Sequence, residues 1–383
     1  MRKVLIITND VEMGGIQKSL IDFLGYLSQK ELEIDLLLWQ NNGVLKNQIP
    51  SSVRIIEKKY SKTWIDIKKE ENYWHKLLFS YQYFVFIFYS KVVNKPWRFF
   101  SKTKETYDVA IAYNQNGFPL FYAIDRVSAN KKYLWYHHGS YESTREVYEL
   151  DKKYYNTFDR LVTVSSANKE MLSTYFSALQ NKISVIPNII NVEKIIHDSK
   201  VLLSDFLKIE GVYIFVTVSR FSKEKGIELA LDIAEELKNR NLKFKWYFIG
   251  DGDLFNEIKQ SVLERDLEEF CILLGMKTNP YPYIKMADLY LQTSFVESQS
   301  ITIYEALVLK KMIITTNIPA LNDALQNGTL GILCKPEKKS FAHEIFNLLN
   351  NPEAKRKLAI ELENHVVSND YAFEGIDELL EIK

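Results

Sequence analysis

Two pairs of charged side chains have the types and spacing to do chemistry. Arg220 and Lys225 fall in Ser219-Arg-Phe-Ser-Lys-Glu-Lys-Gly226, and Glu297 and Glu305 in Phe295-Val-Glu-Ser-Gln-Ser-Ile-Thr-Ile-Tyr-Glu-Ala-Leu-Val-Leu309. Arginine offers a fork of N–H donors and lysine a compact charge, so two such fixed cations can neutralise a diphosphate. Carboxylates only accept hydrogen bonds, which suits the vicinal hydroxyls of a ribose or a hexose. The backbone N–H groups of Gln299, Ser300 and Ile301 fall where a helix should begin, a place that favours phosphate. Each feature alone has a plainer reading: a solvated charged loop, a carboxylate at a helix start, an exposed helix residue.

These residues matter together only if the fold brings them to one edge. Tyr213–Val218 precedes Arg220, while Ala287–Gln292 and Met312–Thr316 flank the two glutamates, and all three are strand-like apolar runs. Loops at the carboxyl ends of parallel strands are where open α/β sheets hold ligands. Phe244–Ile249 is another such strand and ends in Gly250-Asp-Gly-Asp253. Asp251 and Asp253 lack a third ligand, so no metal site is expected.

The first half alternates in the same way. Val4–Thr8 leads through Gly14-Gly15 into a helix at Ile16–Leu27, and strands are expected at 34–39, 53–56, 109–113, 132–136, 161–164 and 183–186. Glycines without a Cβ allow close approach to a ligand. Asn114–Pro119 and His137–Ser140 read as strand-end loops. Asn188–Glu210 is the expected boundary, and Glu353–Lys383 reads mainly as helix. Repeated strand–helix alternation predicts two doubly wound α/β domains. We divide them as 1–187 and 188–355, with a helical tail at 356–383.

The chain has 383 residues, too many for one comfortable core, and its formal net charge is +0, which argues against a general nucleic-acid binder. Cys271 and Cys334 are its only cysteines and make no disulfide framework or zinc site. No signal peptide or membrane-spanning run is expected. Segment 58–104 stands apart. Its cations outnumber Asp66, Glu70 and Glu71, and aromatics such as Trp64, Trp74, Tyr81 and Trp97 are interleaved. Such a segment suits an anionic membrane surface, or else a core contact with a solvated lysine face.

Taken in order, the Gly-Gly loop, Ser-Arg-x4-Lys-Gly, the Gly-Asp-Gly strand end and Glu-x7-Glu resemble the family-four retaining glycosyltransferases. Val185–Asn191 resembles the family's hinge and Ala287–Ser294 its penultimate-strand motif, and the likeness runs from about residue 1 to about residue 360. The resemblance implies the GT-B fold, two Rossmann-like domains facing across a cleft, with the final helix returning to the first domain. Arg220 and Lys225 would bind the donor diphosphate, Glu305 the ribose and Glu297 the sugar. Ser219, Gly250 and the 299–301 backbone would also line the donor site, and Gly14 and Gly15 would close on donor or acceptor. His137-His138 falls where the family carries a histidine at the donor sugar; Trp-x-His phasing favours the first and His-Gly phasing the second. This chain has Ser298-Gln299-Ser300 where many relatives have Phe-Gly, and Ile301-Thr302-Ile303 is a poor helix former.

The implied activity is metal-free transfer, with retention, of a hexose-type sugar from a nucleotide sugar, the UDP form being favoured. The nucleotide sugar is a co-substrate, and no cofactor is expected. The implied acceptor is a glycan or lipid-linked oligosaccharide of capsular or other surface-polysaccharide synthesis, at the cytoplasmic face of the plasma membrane. The alternatives are a nucleotide-sugar epimerase, a phosphorylase and a non-catalytic partner subunit. No lysine is clearly placed for a pyridoxal Schiff base, and a degenerate partner would be free to lose the four charged residues.

Overall fold

Aliphatic and aromatic runs with both faces covered form the strands, as parallel sheets require. The computed structural model describes residues 1–39, 43–57, 64–93, 95–203 and 210–382. The chain divides into two units: Met1–Val164 with Lys169–Ile186 and Glu374–Lys383, and Ser165–Asn168 with Pro187–Phe373.

The first unit holds β1 (Arg2–Thr8), β2 (Leu32–Leu38), β3 (Arg54–Glu57), β4 (Thr106–Ala112), β5 (Ser128–Tyr136), β6 (Arg160–Thr163) and β7 (Ile183–Val185). They make one parallel sheet in the order β3-β2-β1-β4-β5-β6-β7. The second unit holds β8 (Tyr213–Val218), β9 (Phe244–Ile249), β10 (Cys271–Gly275), β11 (Leu289–Gln292), β12 (Ile313–Thr316) and β13 (Ile332–Cys334). Their order is β10-β9-β8-β11-β12-β13, again all parallel. Each sheet reverses its direction of growth once, at β1/β4 and at β8/β11, and such reversals open a crevice for ligands.

Buried polar groups in both sheets are paired. Trp246 Nε1 donates to Thr217 Oγ1 at 2.9 Å, and that hydroxyl donates to Leu291 O at 2.6 Å. Asp35 is buried in β2, where Arg54 holds it in a fork at 2.7 and 2.5 Å and Tyr107 donates at 2.7 Å. Burial pushes the Asp35 pKa up, but the Arg54 and Tyr107 bonds outweigh it and hold the carboxylate below its ordinary range.

Several elements differ from the sequence expectation. Asn114–Pro119 is not all loop: a helix starts at Gly117 and runs to Asp125, with Pro119 in its first turn, where a missing N–H costs nothing. Val192–Asp198 is a helix inside the expected boundary, and residues 204–209 lie outside the described ones. β13 and the helices Pro319–Ala324 and Lys338–Asn350 had not been assigned. In segment 58–104, helices cover Trp64–Lys69 and Tyr73–Ile87, a π-turn Phe88–Val92 and a 3-10 turn Pro96–Phe99. Residues 58–63 and 94, including Lys58, Lys59 and Lys62, lie outside the described residues. Trp97 belongs to the core: it stacks on Phe121 at 4.2 Å and donates to Asp125 at 2.9 Å. Among the described residues, no helix is long and apolar enough to cross a membrane.

The tail is two helices. Pro352–Asn364 lies within the second unit, and Asp370–Leu380 joins the first unit from Glu374 onward. Ile376 and Leu380 are buried there, Tyr26 and Lys30 reach Asp377 at 2.8 and 2.7 Å, and Arg2 Nη1 donates to Leu380 O at 2.8 Å. Replacing Ile376 by Ala should therefore cost about 2–5 kcal/mol in urea unfolding. An unchanged midpoint would mean that this helix is not docked.

Candidate functional site

β8 and β11 are hydrogen-bonded neighbours at the second reversal, so the loops leaving their carboxyl ends lie side by side. Gly226 makes that proximity possible, and Gly250 brings the end of β9 equally close to the end of β8. Gly226 has φ +61° and a Cβ there would stand 2.1 Å from Thr293 O; Gly250 has φ +145° and a Cβ there would stand 1.9 Å from Ser219 O. Neither position admits another residue without moving backbone. Thr293 Oγ1 then donates to Gly226 O at 2.8 Å, and Phe295 N to Glu224 O at 2.8 Å.

The stapled loops bring Lys225 Nζ to 2.7 Å from Glu297 Oε1, with both side chains mostly buried. Gln292 Nε2 donates to the same carboxylate oxygen at 2.8 Å and lies 2.9 Å from Ser300 Oγ. Arg220 is exposed on the same loop and makes no ion pair among the described residues. The Ser219 hydroxyl is buried with no hydrogen-bond partner among them. Burial raises the Glu224 pKa, but the Ser222 hydroxyl, with smaller help from Arg220 and Lys225, outweighs it and holds the carboxyl below its ordinary range. The arrangement therefore holds one neutralised pair, one open guanidinium and one buried hydroxyl without a partner among the described residues.

The helix after this loop runs Ile301–Val308 with Ser300 at its N-cap. Its β-branched start is overridden by packing, since Ile303, Ala306 and Leu307 are buried. Glu305 is buried too, so its reading as a solvated helix residue fails; Tyr281 donates to its Oε1 at 3.2 Å. Gln299 Oε1 accepts from Asn188 N at 2.6 Å, which ties the loop to the Pro187-Asn188 turn. That amide oxygen is occupied structurally, whatever its amide nitrogen does.

The first unit gathers its own group. Thr8 Oγ1 donates to Asn114 Oδ1 at 2.9 Å across the β1/β4 reversal. Gly14 caps the helix Gly15–Leu27 at φ −172°, an extended backbone any residue adopts, so conformation alone does not require glycine. His137 is buried with its ring 4.7 Å from Tyr113, and its Nε2 has no partner among the described residues. Burial pushes its pKa down to about 3, only partly opposed by a bond to the Tyr113 backbone, so the imidazole stays neutral. His138 is exposed, with Nδ1 3.1 Å from Ser140 O. Sequence reasoning missed Gln292, Tyr281 and Asn114. A polar Gln292 closing an apolar strand was the available signal; Tyr281 and Asn114 carried none. Among the described residues no group of His, Cys, Asp or Glu is placed to hold a metal.

The family model for Glycosyltransferase Family 4 matches residues 13–194, and that for Glycosyl transferases group 1 matches residues 198–364. The chain belongs to the family-four glycosyltransferases. An uncharacterized glycosyltransferase of Methanocaldococcus jannaschii is 25% identical over 58% of this chain and 61% of its own length. Poly(ribitol-phosphate) alpha-N-acetylglucosaminyltransferase of Staphylococcus aureus is 23% identical over 42% of this chain and 33% of its own. The chain thus spans less than two thirds of either relative. The HepE protein of Anabaena, crystallised with UDP and glucose, superposes with a TM-score of 0.69 over 99% of this chain and 95% of that one, at 17% identity. That likeness shows the two-domain GT-B fold.

In this family member the neutral His137 links folding to pH. The unfolded histidine, with pKa about 6.5, gains a proton that the folded one refuses until about pH 3, so stability is held above pH 6.5 and lost as pH falls through that window. Urea unfolding of the unmodified protein should weaken between pH 6.5 and 4 more steeply than that of His137→Gln, by at most about 1.4 kcal/mol per pH unit. Parallel slopes would contradict a buried neutral imidazole.

Proposed function

We propose that the protein transfers a hexose-type sugar from a nucleoside diphosphate sugar to a glycan or lipid-linked acceptor, with retention of anomeric configuration. The observation that carries this reading is the convergence of Arg220, Lys225 and Glu297 on the β8/β11 reversal, with Glu305 buried one helix beyond. Family membership supports it, and the UDP held by HepE of Anabaena favours a uridine donor.

In this reading Arg220 and Lys225 bind the diphosphate and stabilise the charge that grows as it leaves. Fixed cations do this better than water because they need no reorganisation. They also take the place of a metal, so turnover should survive a chelator. Glu305 accepts from the ribose hydroxyls while Tyr281 holds its other oxygen, and Glu297 accepts from the sugar hydroxyls. The N–H groups of Ser300 and Ile301, beside the Ser219 hydroxyl and Gly250, serve the phosphates. His137, neutral, offers one ring nitrogen to the donor sugar, and Gly14 and Gly15 leave room for the donor or acceptor.

The acceptor oxygen attacks the anomeric carbon from the face that the diphosphate leaves. The carbon–phosphate-oxygen bond breaks as the new carbon–oxygen bond forms, and the departing phosphate oxygen takes the acceptor's proton. Glu297 is assigned neither as nucleophile nor as base. The name of the S. aureus relative, an α-N-acetylglucosaminyltransferase acting on poly(ribitol-phosphate), supports a polymeric acceptor, and we place the reaction in surface-polysaccharide synthesis at the cytoplasmic face of the membrane.

Lys225→Ala and Glu305→Gln should each lower sugar transfer by about two to three orders of magnitude while the circular dichroism spectrum stays unchanged. Full activity in both variants would overturn the site assignment.

A further inference from the structure

We propose that the outward stripe of the helix Tyr73–Ile87 docks the first unit on an anionic bilayer surface. The helix is begun firmly: Asn72 Oδ1 accepts from the N–H groups of Trp74 and His75 at 3.0 and 3.1 Å. It continues through the π-turn Phe88–Val92, and neither element has a buried residue. A helix that is apolar nearly all round is ordinarily enclosed by protein or lipid. Here one side is half-buried, while Trp74, Leu77, Leu78, Tyr81, Phe88 and Val92 are 76%, 50%, 50%, 67%, 51% and 72% exposed. At helical spacing these residues fall on one stripe. Tryptophan and tyrosine pair an apolar body with a polar tip, which suits the boundary between headgroups and acyl chains.

Charge selects the partner. Lys68 and Lys69 are exposed at the end of the preceding helix, Lys76 on the flank of this one and Lys91 in the π-turn, against Glu70 and Glu71 between the two helices. The chain as a whole carries a formal charge of +0, so this excess is local. Lysines beside an exposed apolar helix match phosphate headgroups over acyl chains. A second copy of the chain fits less well. From Trp74 to Val92 the stripe is roughly 27 Å long and one helix wide, on the order of 270 Å² in projection, against about 800 Å² per partner in a stable interface. The proposal rests on the first unit's surface alone and does not depend on the transferase reading.

The test is co-sedimentation of the full chain with vesicles of phosphatidylcholine alone, or mixed with phosphatidylglycerol, at low and high salt. Partition into the mixed vesicles should be at least about tenfold stronger, and should fall with salt. It should drop on the order of fivefold per charge in Lys68→Gln/Lys69→Gln. Trp74→Ser/Leu78→Ser/Tyr81→Ser should lose at least about tenfold at an unchanged thermal midpoint, because exposed side chains contribute little to folding. Equal partition into both vesicle types would overturn the proposal. So would unchanged partition of the triple variant, or a dimer that dissolves in that variant while vesicle partition stays the same.

Discussion

The Lys225–Glu297 pair, at 2.7 Å, is the interaction on which the rest of the second unit's site depends. Taking two ions out of water is costly, and their attraction offsets that cost only when further hydrogen bonds complete the geometry. Gln292 supplies such a bond from the end of β11. The pair also demands that two loops run almost in van der Waals contact, which is why Gly226 stands where a Cβ would strike Thr293 O; Gly250 makes the same close approach to Ser219 O from the end of β9. Parallel pairing of β8 with β11 sets the register, the glycines permit the approach, and the ion pair locks it. Cation and carboxylate are thereby held in place before any ligand arrives, which is the condition for electrostatic catalysis.

The two units spend their polar residues differently at their reversal points. The second places charges there and leaves Arg220 open to solvent. The first has the uncharged Thr8–Asn114 bond there, with a neutral histidine against the Tyr113 ring at the neighbouring end of β5. A buried neutral imidazole can offer or accept one hydrogen bond without bringing a charge into the site.

Much of this was legible in the sequence because the elements concerned obey strong periodicities. Tyr213–Val218, Phe244–Ile249 and the Glu297–Glu305 segment were placed by apolar runs and strand-end glycines, and the structure forms elements there. Legibility failed where local propensity and tertiary packing disagree. Gly117, at φ +69°, opens a helix that sequence reasoning left as loop. Three-residue β13 is too short to show a period. Tyr281 reaches Glu305 from 24 positions away, and no spacing rule reports such a pair. Segment 58–104 does not behave as one unit: Trp97 stacks in the core, while Trp74 and Tyr81 face outward.

Calorimetric titration of nucleoside diphosphates, uridine first, into the unmodified and Arg220→Ala proteins in the presence of a chelator tests the central claim most directly. The account predicts binding without a metal, weakened more than about tenfold when the open guanidinium is removed, as loss of a charge-assisted phosphate contact should do. Binding that appears only with a divalent cation, or that is indifferent to Arg220, would contradict it.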